Sequence, residues 1–164
     1  MHGINYDKNL SASRTSGRPA FMFRTLTIAG VLLLAAGLGF ACEFNFSVTD
    51  SSGESQKVVP GDTVELERGE TYVLTVHFSE DHRNCDVPAE DTLFLLDDEK
   101  WKASKDNLPL QLEQDPAWED MDGGRSHETR LSFSAEDAGE WTLEIIRECE
   151  RRGGYDEMLS FSVS

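Results

Sequence analysis

The nine residues TYVLTVHFS (71–79) put Tyr72, Leu74, Val76 and Phe78 on one side of an extended chain, with Val73, Thr75 and His77 on the other. A helix would scatter these side chains around its axis, whereas a strand sorts them into one apolar and one mostly polar face. The same two-residue repeat runs through the rest of the chain after Cys42. Phe44, Phe46 and Val48 alternate with polar neighbours, as do Val64 and Leu66, Leu131 and Phe133, Trp141, Leu143 and Ile145, and Leu159, Phe161 and Val163. Cys149 has the parity of Trp141 and continues that core face. Short runs at QKVV and LPLQLEQ add two strands, and TLFLL (92–96) is a continuous apolar run that predicts a strand buried on both sides. Turn-forming residues such as Pro60-Gly61-Asp62 and Arg68-Gly69-Glu70 separate the runs. DPAWEDMDGG (115–124) is the longest expected loop. Eight or nine short strands with no helical period predict an all-β, antiparallel sandwich.

The front of the chain differs in kind. Leu26 to Ala41 read LTIAGVLLLAAGLGFA, an uncharged apolar run preceded by Arg24 and ending in small residues. That order is an export signal, and the run is shorter than the ~20 residues a spanning helix needs. Residues 1–41 are therefore expected to be an N-terminal extension and signal peptide, with translation starting at Met22, and residues 42–164 a single domain. Gly39-Phe40-Ala41-Cys42 resembles a bacterial lipobox, which implies cleavage before Cys42 and a lipid on its sulfur. Gly39 and Ala41 also suit ordinary signal peptidase, which would release the domain freely.

Export decides how the remaining cysteines are read. Cys85 and Cys149 are expected to be joined in an oxidising compartment, closing a loop worth on the order of 4 kcal/mol. The alternative is a metal site in HFSEDHRNC, using His77, His82 and Cys85 with Cys149 as a fourth ligand, a donor set suited to zinc or copper. A Cys85–His82 dyad would need a reduced thiolate, which export disfavours. The chain carries 31 acidic against 15 basic residues, a net charge of −16, and the region before Cys42 holds four of those bases but only one acid. Such a charge repels nucleic acid and anionic lipid, so neither is an expected partner, and membrane contact is expected only through the signal segment or a lipid at Cys42.

FSAEDAGEWTLEI (133–145) resembles the D-x-G-x-Y corner before a late strand of immunoglobulin-like domains, with Asp137, Gly139 and Trp141 in the three places. The wider pattern PGDTVEL, GETYVLTVHF and EDAGEWTLEI is similar to bacterial extracytoplasmic immunoglobulin-like or fibronectin-like domains. That resemblance implies a β-sandwich that binds, spaces or adheres rather than catalyses.

No catalytic signature is present: there is no G-x-S-x-G, and adjacent Ser126, His127 and Glu128 point to alternate faces of a strand. No cofactor is implied. Asp115, Glu119, Asp120 and Asp122 fail the EF-hand spacing and read as a solvated acidic loop. Trp101 and Trp118, each in a polar stretch, are expected to pack back over the sandwich; exposed, they would make a sugar-stacking or protein-binding surface. Arg147, Arg151 and Arg152 are expected to relieve repulsion among Glu148, Glu150, Asp156 and Glu157. The function expected is an exported, non-catalytic binding or accessory module with an envelope protein or glycan as partner. A metal-binding envelope protein and a carbohydrate-binding module are the alternatives.

Overall fold

A computed structural model describes residues 42–80, 87–148 and 154–164, and every structural statement below concerns these. The strands in chain order are β1 (Cys42–Thr49), β2 (Ser55–Val58), β3 (Thr63–Leu66), β4 (Thr71–Glu80), β5 (Leu93–Leu96), β6 (Glu99–Lys100), β7 (Leu110–Leu112), β8 (Trp118–Met121), β9 (Ser126–Ala135), β10 (Gly139–Arg147) and β11 (Tyr155–Val163). They form two sheets. The first runs β2-β1-β4-β9-β7, with β8 also paired to β9, and the second runs β3-β11-β10-β5-β6. All pairings are antiparallel except β3 with β11. Strands β1-β4-β9-β7 facing β11-β10-β5 reproduce the two-sheet order of the immunoglobulin fold, so the domain is an Ig-like β-sandwich.

The predicted inward sets fill the space between the sheets. Phe46, Val48, Leu74, Val76, Leu131 and Phe133 from the first sheet meet Leu143, Ile145, Leu159 and Phe161 from the second. Phe133 packs edge-on against both Trp101 and Phe161. Two strands exceed the sequence pattern. β6 follows a two-residue turn in which Asp97 and Asp98 both take positive φ, a conformation that aspartate tolerates better than most residues. β8 occupies much of the expected acidic loop: WEDM pairs with β9 from Trp118 opposite Thr129 to Met121 opposite Ser126, leaving Asp115-Pro116-Ala117 before it and the turn at Asp122-Gly123-Gly124 after it.

TLFLL corrects the expectation of two-sided burial. Phe94 and Leu96 enter the core, but Leu93 is 40% exposed and Leu95 half-buried, because among the described residues no layer covers the outer face of the second sheet. The corner sequence behaves as its chemistry allows. The Trp141 indole N–H donates to the Asp137 carbonyl at 3.1 Å, a bond made by an indole where a tyrosine hydroxyl is usual. Gly139 is required beneath it: φ is +148°, and an added Cβ would lie 3.0 Å from Trp141 Cζ2.

Candidate functional site

The end of the sandwich where β4 and β10 finish and β1, β5 and β11 begin gathers most of the residues singled out above. At its centre is Arg147. Its place after Trp141, Leu143 and Ile145 on one side of β10 turns it inward, and it is 1% exposed. Nη2 reaches the Val87 carbonyl at 2.6 Å and Glu80 Oε1 at 3.3 Å. Nη1 reaches the Pro88 carbonyl at 2.8 Å and Thr92 Oγ1 at 3.3 Å. The guanidinium also lies 4.3 Å from the centre of the Phe78 ring. Arg147 is thus no surface counter-ion. A guanidinium that far inside needs a carboxylate and carbonyls, and β4 and the segment before β5 supply them.

His127 extends this brace. Its ring stacks on Phe78, Nδ1 is 2.9 Å from Asp120 Oδ1, and Nε2 is 3.7 Å from Glu80 Oε1. Aromatic edges of Phe44, Phe78 and Tyr155 pack beside it. The arrangement joins the two sheets. Parity alone could have found Arg147 in the sequence; its charge argued the other way.

His77 lies on the outer face of the first sheet, opposite Glu128 and 3.8 Å from its carboxylate. His82, Cys85 and Cys149 are outside the described residues, as are residues 1–41, Arg151 and Arg152, and nothing is described of the Cys42 side chain. Among the described residues no three His, Cys, Asp or Glu side chains converge to hold a metal. Asp115 instead accepts the Ala103 N–H, and Asp120 is taken by His127.

The two tryptophans do meet, lining one cleft of about 290 Å³ between β5–β6 and β8 together with Phe94, Lys100, Lys102, Glu90 and Asp115. Their roles differ. Trp101 is 2% exposed and its indole N–H donates to the Leu110 carbonyl at 2.6 Å, so it is a core residue showing an edge. Trp118 is half-buried and stacks on Phe94. A second cleft, about 490 Å³, opens at the opposite end and is lined by Asp50, Glu54, Glu65, Glu67 and Glu70. There the Ser52 hydroxyl and the loop amides hold the Asp50 carboxyl below the usual range.

The outer face of the second sheet is the surface that sequence reasoning missed. The register sets Lys100, Leu95, Glu144 and Met158 in one row across four strands, and Leu93, Ile146 and Asp156 in the next. Met158 is 57% exposed. The outer face of the first sheet carries Asn45, Ser47, Thr75, His77, Glu128, Arg130 and Ser132 at the corresponding positions. The signal for the difference was the unbroken TLFLL run.

No family model matches the chain, and no curated protein matches it. Among solved structures the chain is similar to the solution structure of amebosin, with 13% identity and a TM-score of 0.37, over 64% of this chain and 90% of that one. A likeness of that size bears on neither fold nor function.

Proposed function

We propose that the chain is an exported, non-catalytic binding or accessory module of the bacterial cell envelope, related to the immunoglobulin-like extracytoplasmic domains and stapled by Cys85–Cys149. The observation that carries this reading is the apolar strip Leu93, Leu95, Ile146 and Met158, which no other layer of the described residues covers, on a domain otherwise dominated by acids. Support for the staple comes from the residues next to each cysteine in sequence. Arg147, two residues before Cys149, is bonded to the carbonyl of Val87, two residues after Cys85. The test has two parts. Intact mass of the protein made from its full reading frame, without reductant, reads the bridge as a two-proton deficit and a lipid on Cys42 as added mass; free thiols would overturn the staple. A photo-crosslinking side chain at Met158 and another at Ser47 then report on binding in cells. Adducts to an envelope component support the reading, and their absence at both positions overturns it.

A second reading, carbohydrate binding, draws on the cleft that brings Trp101 and Trp118 together. Trp118 alone could stack on a sugar ring there. Quenching of tryptophan fluorescence by oligosaccharides, lost in Trp118→Ala, would establish it, and unchanged fluorescence would remove it.

A further inference from the structure

We infer that the uncovered face of the second sheet docks a protein surface presenting Lys or Arg side chains around an apolar patch. The inference deepens the binding-module reading and rests on it. Its first support is geometric. Four strands spaced about 4.8 Å apart give a strip roughly 15 Å long, the scale of the apolar centre of a modest interface. Leu95 and Met158 flank Glu144 in that strip, and Ile146 and Leu93 stand beside it.

The second support is charge. Glu144 stands in the middle of the apolar strip, and its carboxyl is pushed above the usual range, first by burial and then by Asp156 and Asp98. Among the described residues no cation forms an ion pair with it, and Lys100 is the one lysine that shares its row. Asp98 is held in place. Its turn is pinned where Asp97 Oδ1 accepts the Thr142 N–H at 3.0 Å and the Asp97 N–H donates to the Thr142 carbonyl at 2.9 Å. Glu144 and Asp156 lie within hydrogen-bonding reach of one another and Asp98 adds its charge, so an arriving guanidinium or ammonium group relieves that crowding while the leucines lose water.

The same charges disfavour the other occupants. Two copies stacked face to face would bring Glu144, Asp98 and Asp156 of each against their counterparts, on chains of net charge −16. Anionic lipid is repelled in the same way.

The test is a titration of the full-length, isotope-labelled protein with two synthetic twelve-residue peptides of equal charge, one alternating Lys and Leu, the other Lys and Ser. The expected result is that the Lys/Leu peptide shifts the amide signals of Leu93, Leu95, Glu144, Ile146 and Met158, and the Lys/Ser peptide does not. Met158→Glu, at an exposed position that leaves the core intact, should weaken binding about tenfold, and Glu144→Gln should weaken it while lowering its salt dependence. Equal responses to both peptides, or shifts confined to Asp50, Glu54, Glu65, Glu67 and Glu70, would overturn the inference. So would a dimer seen by sedimentation at high salt and lost in Met158→Glu. Crosslinks in cells from Ser47 alone would leave a binding module with a different surface. Peptide binding at this face with no cellular adduct at either position would instead sink the binding-module reading.

Discussion

Replacing Arg147 by Met keeps the aliphatic stem and removes the guanidinium, so the cost can be worked from its partners. The Val87 carbonyl would lose its Arg147 donor, at about 1–3 kcal/mol if it stays dry, while the Pro88 carbonyl would keep the Asp91 N–H at 3.1 Å. Glu80, only 11% exposed, would keep one charged neighbour among the described residues, His127 at 3.7 Å. Breaking one side of a buried ion pair generally costs ~3–5 kcal/mol, and these contributions overlap rather than add. A loss of about 4 kcal/mol is expected, a large share of the ~5–15 kcal/mol that holds a domain of this size together. Glu80→Leu with Arg147→Met removes both charges and should recover part of that loss, giving a coupling of roughly 1.5–3 kcal/mol. Urea unfolding followed by tryptophan fluorescence, with both cysteines kept in one redox state, measures each variant, and an unchanged slope confirms that stability alone moved. A loss below about 1 kcal/mol for Arg147→Met, or strict additivity in the cycle, would refute the account of Arg147 as the tie between the sheets.

Three further perturbations read other parts of the structure. Gly139→Ala sets a Cβ 3.0 Å from Trp141 Cζ2 at positive φ and should cost about 1–3 kcal/mol, read as a fall in melting temperature; an unchanged melting point would mean the indole moves aside freely. Thr129 is 1% exposed and its hydroxyl has no partner among the described residues, so Thr129→Val should be neutral or stabilise by about 1 kcal/mol, and a clear loss in urea would reveal a bond to that hydroxyl. Glu144 has a raised carboxyl pKa in the folded state, so its contribution to stability is fullest below the unfolded carboxylate range and declines as pH rises through the folded value. Glu144→Gln should accordingly raise stability more at pH 7 than at pH 4, and the reverse ordering would contradict the crowding of Glu144 by Asp156 and Asp98.

The sandwich was legible because parity is a local signal. Tyr72, Leu74, Val76 and Phe78 need only their own strand to declare an inward face, and the same holds for Leu159, Phe161 and Val163. What escaped reading depends on residues far away in sequence. Arg147 has inward parity, but its burial is tolerable only because Glu80 and the carbonyls of Val87 and Pro88 wait about sixty residues earlier. Trp101 lies in a polar stretch, yet the positive-φ turn at Asp97 and Asp98 folds it back so that its N–H meets Leu110. TLFLL announced an apolar strand truthfully, but whether a second layer covers it is a property of the whole topology, and β5 lies in a sheet with one face that no other described residues cover. The acids of WEDM hid a strand because β9, not an apolar face, holds it in place.

The placement of these features along the sandwich has a mechanical consequence. Cys42 pairs with Glu80 at the start of β1, so tension on a lipid at Cys42 would enter the domain where Glu80 meets Arg147. From there it would pass from the first sheet into β10 and the second sheet. The end facing a membrane would then be the one reinforced by the ion pair and the stacked Phe78, with the acid-lined cleft at Asp50 and Glu70 pointing away. The strip of Leu93, Leu95, Ile146 and Met158 runs along the side of such a tethered domain. Under the proposed reading it would be offered to a neighbour beside the domain rather than to the bilayer.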